Sequence, residues 1–280
     1  MNTNFFNQIA QLNFRGNLQL TIAKGAENNL IVSIMLQNDS LTGSSILNKE
    51  NITDDYRLAC ESRQVSLLGR KDTMGGRSKF GIFGDGKEVV QLALARAFKK
   101  GDFRSGYYRD QTIEAALGNL KWSDFFSQMY AHADLEFEPN TGGRSMNGHF
   151  STRWLDDNGQ WLDQTKINNS VCDISSTAGQ MPRAVGLAYA SKLYRNNEDL
   201  SYLTNFSHHG NEITFATIGD ASTSQGMFFE AMNAAGVLQI PLLTSIWDDG
   251  YGISVPIEYQ TTKGSISKAL AGLQRNSDEQ

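Results

Sequence analysis

Two short apolar runs, each closed by acidic residues, constrain this chain more than any other feature. The first, Ile213 to Ile218, ends in Gly219-Asp220-Ala221; the second, Pro241 to Trp247, ends in Asp248-Asp249-Gly250-Tyr251-Gly252-Ile253-Ser254. Between them lies a helix-like segment, Met227 to Leu238. Runs this short, bounded by turn residues and separated by a helical stretch, are the pattern of a β-α-β unit with buried parallel strands. In such a sheet ligands sit in the crevice outside the carboxyl ends of the strands. Asp220 and Asp249 are therefore expected at one point there. Hard oxygen donors of this kind suit Mg²⁺, which takes one or two carboxylates together with the phosphates of a substrate or cofactor. Asp-Asp-Gly-Tyr-Gly also reads as an exposed turn, and the segment alone leaves both readings open.

Further helix-like runs, Arg57 to Leu68, Lys87 to Lys100, Thr112 to Leu117 and Met181 to Arg195, alternate with short apolar strands. That alternation predicts an α/β fold, a doubly wound, mostly parallel sheet with helices on both faces. A last helix is expected from Thr262 to Leu273. Residues 1–55 are polar and irregular, rich in Asn and Ser, and are expected to form an N-terminal arm that packs on a partner; the core domain is 56–280. Residues 155–170 read as a polar insertion, a mobile loop over the site.

Several classes are disfavoured by composition. A net charge of −5 argues against a nucleic-acid surface, and Cys60 and Cys172 alone make no disulfide framework. No apolar run approaches membrane-spanning length, and the Asn-rich amino terminus resembles neither a secretory signal nor an Arg-rich transit peptide. The expected location is the cytoplasm.

Gly219-Asp220-Ala221 followed by Asp248-Asp249 resembles the Gly-Asp-Gly and Asn-Asn signature of thiamine diphosphate enzymes. With Glu230-Ala231-Met232-Asn233-Ala234-Ala235 and Gly250-Tyr251-Gly252-Ile253-Ser254, it is similar more narrowly to the α component of the E1 enzymes of 2-oxo acid dehydrogenase complexes. Three other segments resemble that family in the same order along the chain: Tyr107-Tyr108-Arg109-Asp110-Gln111, Gly142-Gly143-Arg144-Ser145-Met146-Asn147-Gly148-His149, and Ile174-Ser175-Ser176-Thr177-Ala178-Gly179-Gln180-Met181-Pro182.

The resemblance implies a thiamine diphosphate-binding fold and a set of roles. Asp220, Asp249 and the carbonyl of Tyr251 would bind Mg²⁺; Tyr108, Arg109, Ser176, Gly219 and Ala221 would hold the cofactor; His149 would face the reacting carbon. A guanidinium fork suits phosphate oxygens, and an imidazole can stabilise charge on a carbonyl oxygen. Taken singly, Arg109 also reads as a surface residue or a partner of Asp110, His149 as solvated, and the Ser-Ser loop as a helix cap. His208-His209 fall in a polar linker and read as surface residues.

Departures from the pattern matter. Ala221 replaces a Gly, which is tolerable where φ is negative. Asp248-Asp249 replaces the Asn pair and adds negative charge beside a diphosphate, which Mg²⁺ and basic side chains must offset. The Ser-Ser loop is one residue shorter than in some relatives, so a potassium site there stays open. Gly84-Asp85-Gly86 spells the motif literally, yet no acidic or Asn pair plus Gly follows at the right distance. It is assigned to a turn opening the Lys87 helix, without metal.

By resemblance the function is that of the α part of a 2-oxo acid dehydrogenase E1. It would decarboxylate a 2-oxo acid, branched-chain before pyruvate, and pass the acyl group to the lipoyl arm of E2. The activating Glu would come from an E1 β component, in an α2β2 assembly or a dimer of fused chains. The chain stops short of the family's last strands, so a region truncated at its C-terminus is expected. Two alternatives stay open: an acetoin dehydrogenase or transketolase-like enzyme, and an inactive fragment serving assembly.

Overall fold

A computed structural model describes residues 48–273, together with the backbone of three strands nearer the amino terminus. Those strands, β1 (Ala10–Phe14), β2 (Leu18–Lys24) and β3 (Leu30–Leu36), form an antiparallel sheet in the order β1-β2-β3. The irregular character expected of residues 1–55 is thus replaced by regular backbone over these spans. Docking of this region on a partner concerns side chains outside the described residues.

Helix α1 (Lys49–Met74) opens where the Asn48 side chain accepts the Asn51 N–H at 2.7 Å, a standard N-cap. Its buried positions, Ser62, Val65, Ser66, Gly69 and Asp72, recur at helical spacing but are mostly small or polar. The seam therefore leaves little hydrophobic signal in the sequence, and the helix runs beyond both ends of the expected Arg57–Leu68. Then follow α2 (Glu88–Ala97), β4 (Phe103–Ser105), α3 (Gln111–Ala116), α4 (Trp122–Met129), β5 (Asn169–Val171) and α5 (Gln180–Asn196). After them come β6 (Thr214–Gly219), α6 (Gly226–Leu238), β7 (Leu242–Trp247), the short hairpin β8 (Tyr251–Gly252) and β9 (Val255–Pro256), and α7 (Ile266–Leu270).

Strands β5-β4-β6-β7, in that order, make one parallel sheet. Side chains alternate across it as strand geometry requires. From β6, Phe215 joins Leu243, Trp247, Leu94, Phe98 and Ile113 in one apolar cluster, while Ala216 and Ile218 join Leu242, Met181, Ala184 and Phe228 in another. Helices α2 and α3 thus supply one cluster, and α5 and α6 the other.

Strands β4 and β5 have no apolar signature because their buried side chains are polar. Arg104 is fully buried and meets Asp110, Glu114 and Asp173, with its Nε 2.8 Å from Ser170 Oγ. Asn169 and Ser170 are also fully buried. The expected loop over 155–170 is accordingly a loop only in part, since its end is the strand β5 itself. The expected helix Thr262–Leu273 is broken: Lys263 has φ +62°, Ser265 is extended, and the Ser265 side chain caps a fresh helix at Lys268. Among the described residues, no helix is long and apolar enough to cross a membrane.

Candidate functional site

Strand β6 ends at Gly219, and its successor Asp220 is buried, with its backbone N–H donating to the Trp247 carbonyl at the end of β7. One carboxylate oxygen, Oδ2, is buried without a hydrogen-bond partner. Burial pushes this carboxyl up to about 6, helped by the charges of Asp249 and Asp248 and opposed by the Ala221 N–H. A buried, unpartnered carboxylate oxygen beside two more carboxylates is a group whose charge needs a cation. Ala221 lies outside the left-handed region, so the missing Gly costs nothing there. Its methyl instead dictates Gly252, where a Cβ would stand 2.7 Å from Ala221 Cβ.

The turn after β7 is built by its own acidic side chains. Asp248 Oδ1 accepts from Gly250 N–H at 2.9 Å and Asp249 Oδ1 from Tyr251 N–H at 3.2 Å. The turn reading of this segment is therefore realised, together with its proximity to Asp220. The other oxygen of Asp249, Oδ2, lies 2.9 Å from Lys87 Nζ. Tyr251 is largely exposed, and the carbonyl before it, of Gly250, accepts from Ile257 N–H. Among the described residues no three His, Cys, Asp or Glu side chains form a ready metal cage. The donors expected here, two carboxylates and a backbone carbonyl, are of the chemistry that Mg²⁺ takes when completed by phosphate oxygens.

Tyr107, Tyr108 and Arg109 link this end of the sheet to the His149 loop. Tyr107 Oη is buried and unpartnered, 3.6 Å from where a Cβ on Gly219 would sit, and its ring packs edge-on against Trp247. Burial, then the charge of Asp110, pushes its phenol well above the ordinary range, so it stays a neutral donor. Arg109 does not pair with Asp110, which is engaged by Arg104; its Nη1 donates to the Phe83 carbonyl at 2.6 Å, and its guanidinium lies 5.7 Å from the Tyr108 ring centre. Gly148 has φ +83°, and a Cβ there would meet the Tyr108 carbonyl oxygen at 2.5 Å. Only glycine permits that approach.

His149 is buried rather than solvated. Its Nδ1 faces the Met146 and Asn147 carbonyls at 3.0 and 3.3 Å, and its Nε2 lies 2.6 Å from Ser175 Oγ. Two carbonyls can only accept, so Nδ1 carries the proton and Nε2 of the neutral ring accepts from the Ser175 hydroxyl. The backbone is clasped by Gln128, whose amide donates to His149 O at 2.7 Å and accepts His149 N–H at 3.0 Å. Ser176 is exposed, with its carbonyl taken by Gly179 N–H. Ser176 is the residue expected at the cofactor; Ser175, which touches the imidazole, is a site residue that sequence reasoning did not single out. Lys87 was missed because it belonged to a turn dismissed as a decoy; Asp85 of that turn pairs with Arg70 at 2.6 Å.

The first 48 residues match a family model described as PRTRC system protein E. Among curated proteins, the chain is 30% identical over 231 residues to the 2-oxoisovalerate dehydrogenase subunit alpha of Bacillus subtilis (strain 168), covering 81% of this chain and 59% of that one. It is 25% identical over 225 residues to the pyruvate dehydrogenase E1 component subunit alpha of Acholeplasma laidlawii, covering 80% and 52%. A mitochondrial 2-oxoisovalerate dehydrogenase subunit alpha of Caenorhabditis elegans is 30% identical over 186 residues, 66% of this chain and 36% of that one. The chain therefore spans roughly a third to three fifths of the length of these relatives. The family model described as dehydrogenase E1 component matches residues 56–274, well over half of the chain, and the protein belongs to that family.

Proposed function

We propose that this chain supplies the α side of a thiamine diphosphate site that decarboxylates a 2-oxo acid and delivers the acyl group to a lipoylated E2 component. The observation that carries the reading is the buried, unpartnered Asp220 Oδ2 at the end of β6, between the Asp248-Asp249 turn and Tyr107. Asp220, Asp249 and the Tyr251 carbonyl would hold Mg²⁺. Arg109 and Tyr108, with Ser176 and the backbone at Gly219 and Ala221, would hold the cofactor. Bound there, thiamine diphosphate supplies a nucleophilic carbon that carries the difficult bond-breaking step.

The chain's own residues bind, orient and exclude water. Tyr107 stays protonated beside Gly219, so it can donate to an anionic oxygen without adding charge. His149, with its proton fixed on Nδ1, presents Nε2 and the Ser175 hydroxyl as one polar unit, held in place by Gln128. In this arrangement Nε2 accepts and the one Ser175 hydroxyl proton points at it, so the unit can stabilise charge on a carbonyl oxygen once Nε2 takes up a proton or the hydroxyl turns toward that oxygen. An E1 β component, on a separate or fused chain, would complete the site with the group that activates the cofactor. The assembly would be an α2β2 tetramer or a dimer of fused chains, acting in the cytoplasm.

Within the same reading, residues 56–280 belong to a doubly wound thiamine diphosphate-binding domain, preceded by the arm 1–55. A branched-chain 2-oxo acid is the preferred substrate, with pyruvate next. The test is acyl transfer from each acid to a lipoyl domain by this chain assembled with a β component. Transfer that requires added thiamine diphosphate supports the proposal; an intact assembly that binds cofactor and cleaves acetoin but no 2-oxo acid would replace it with the acetoin-type reading.

A further inference from the structure

The end of the sheet carries more negative charge than a diphosphate site tolerates without compensation. Asp220, Asp248 and Asp249 gather there, and the first has a buried oxygen with no partner. One ammonium group reaches this cluster from another part of the chain. Lys87, just before α2, has a side chain only 15% exposed and places Nζ 2.9 Å from Asp249 Oδ2, across 162 residues of sequence. The backbone helps to fix it there: Lys87 N–H donates to the Gly84 carbonyl, and Asp85 of the same turn is pinned by Arg70.

We propose that Lys87 is a built-in counter-ion of the cofactor cleft, a positioning residue that makes Asp249 electrically equivalent to a neutral amide while leaving its oxygen able to ligate a metal. A carboxylate oxygen has lone pairs for both an ammonium N–H and a cation. The Asp249–Lys87 pair then carries no net charge, as an Asn side chain would, and the cleft can accept the negative charge of a diphosphate. The inference rests on the cofactor reading given above and adds to it a residue outside the motif segments.

The test is calorimetric titration of thiamine diphosphate at saturating Mg²⁺, and of Mg²⁺ alone, into the assembled complex carrying the parent chain, Lys87→Gln, Asp249→Asn or both. One uncompensated charge within about 12 Å of the diphosphate, at an effective dielectric of about 20, corresponds to about tenfold in affinity or more. Lys87→Gln is expected to weaken the cofactor about tenfold and to tighten Mg²⁺ alone, because the cluster gains negative charge. Adding Asp249→Asn should restore cofactor affinity to within about threefold of the parent, since the charges again balance. Lys87→Arg should bind as the parent does. A parent complex that binds cofactor equally well with Lys87→Gln, or a double variant no better than Lys87→Gln, would overturn this inference alone. A parent complex that binds no cofactor would overturn the cofactor reading and the inference with it.

Discussion

Replacing Arg104 by Met tests how the site is braced. Arg104 is fully buried on β4 and is the cation that pairs directly with Asp110, Glu114 and Asp173 among the described residues. Those carboxylates carry the site's supports: Asp110 accepts from Thr217 Oγ1 on β6 at 2.5 Å, and Asp173 accepts from Phe150 N–H, next to His149, at 3.1 Å. A Met side chain fills similar volume but removes the cation that pairs directly with the three carboxylates. Breaking a buried ion pair from one side costs about 3–5 kcal/mol, a large part of the roughly 5–15 kcal/mol available to a domain. With a urea slope of about 3 kcal/mol/M, the unfolding midpoint should fall by about 1–1.7 M at pH 7. The loss should shrink at pH 5.5, where the carboxyls take up protons and no longer need Arg104. Urea unfolding followed by fluorescence at both pH values measures it. A variant within about 1 kcal/mol of the parent, or an equal loss at both pH values, would refute the argument that Arg104 holds the network by charge.

The same network makes stability depend on pH in the parent chain. Burial, together with the neighbouring carboxylates, pushes Asp110 up to about 7 and Asp173 up to about 6, above the ordinary aspartate value near ~3.9. The native state therefore binds more protons than the unfolded chain between those limits, so this contribution is fully present below about pH 4 and is lost as pH rises through 6 to 7. The urea midpoint should fall from pH 5.5 to pH 8, and Asp110→Asn should flatten that slope; an unchanged slope contradicts the assignment. Gly148→Ala should destabilise by about 2 kcal/mol or more, because a Cβ would collide with the Tyr108 carbonyl; a thermal midpoint equal to the parent's would show that the two loops are not in contact. Gln128→Ala leaves two buried backbone groups of His149 unpaired and should cost about 2–4 kcal/mol, seen in the same urea assay, and a loss under about 1 kcal/mol would mean that the clasp does not hold the loop.

The parts of this fold that were legible in the sequence are those whose burial is apolar. Phe215, Ile218, Leu243 and Trp247 mark β6 and β7, and Ala184 and Ala188 mark α5. Strands β4 and β5 were illegible because their buried residues, Arg104, Asn169 and Ser170, are polar, and Arg104 and Ser170 are paired with groups distant in sequence. The seam of α1 uses Ser62, Ser66 and Gly69, which carry no hydrophobic period. At the site, motif spacing placed Asp220 and Asp249 at adjacent strand ends. It did not reveal the contact of Ser175 with His149, since a loop side chain's aim leaves no periodic trace. Lys87 joins the site through a contact between segments 162 residues apart, for which no local pattern exists.

The account stands most directly on Asp220 as the cation-binding carboxylate of a thiamine diphosphate site. Calorimetric titration of thiamine diphosphate, with and without Mg²⁺, into this chain assembled with its β component, beside the same assembly carrying Asp220→Ala, measures that claim. Binding that needs Mg²⁺ and is abolished by Asp220→Ala is the predicted result. Binding that survives the substitution in a folded assembly, or no binding by the parent assembly at all, would contradict it.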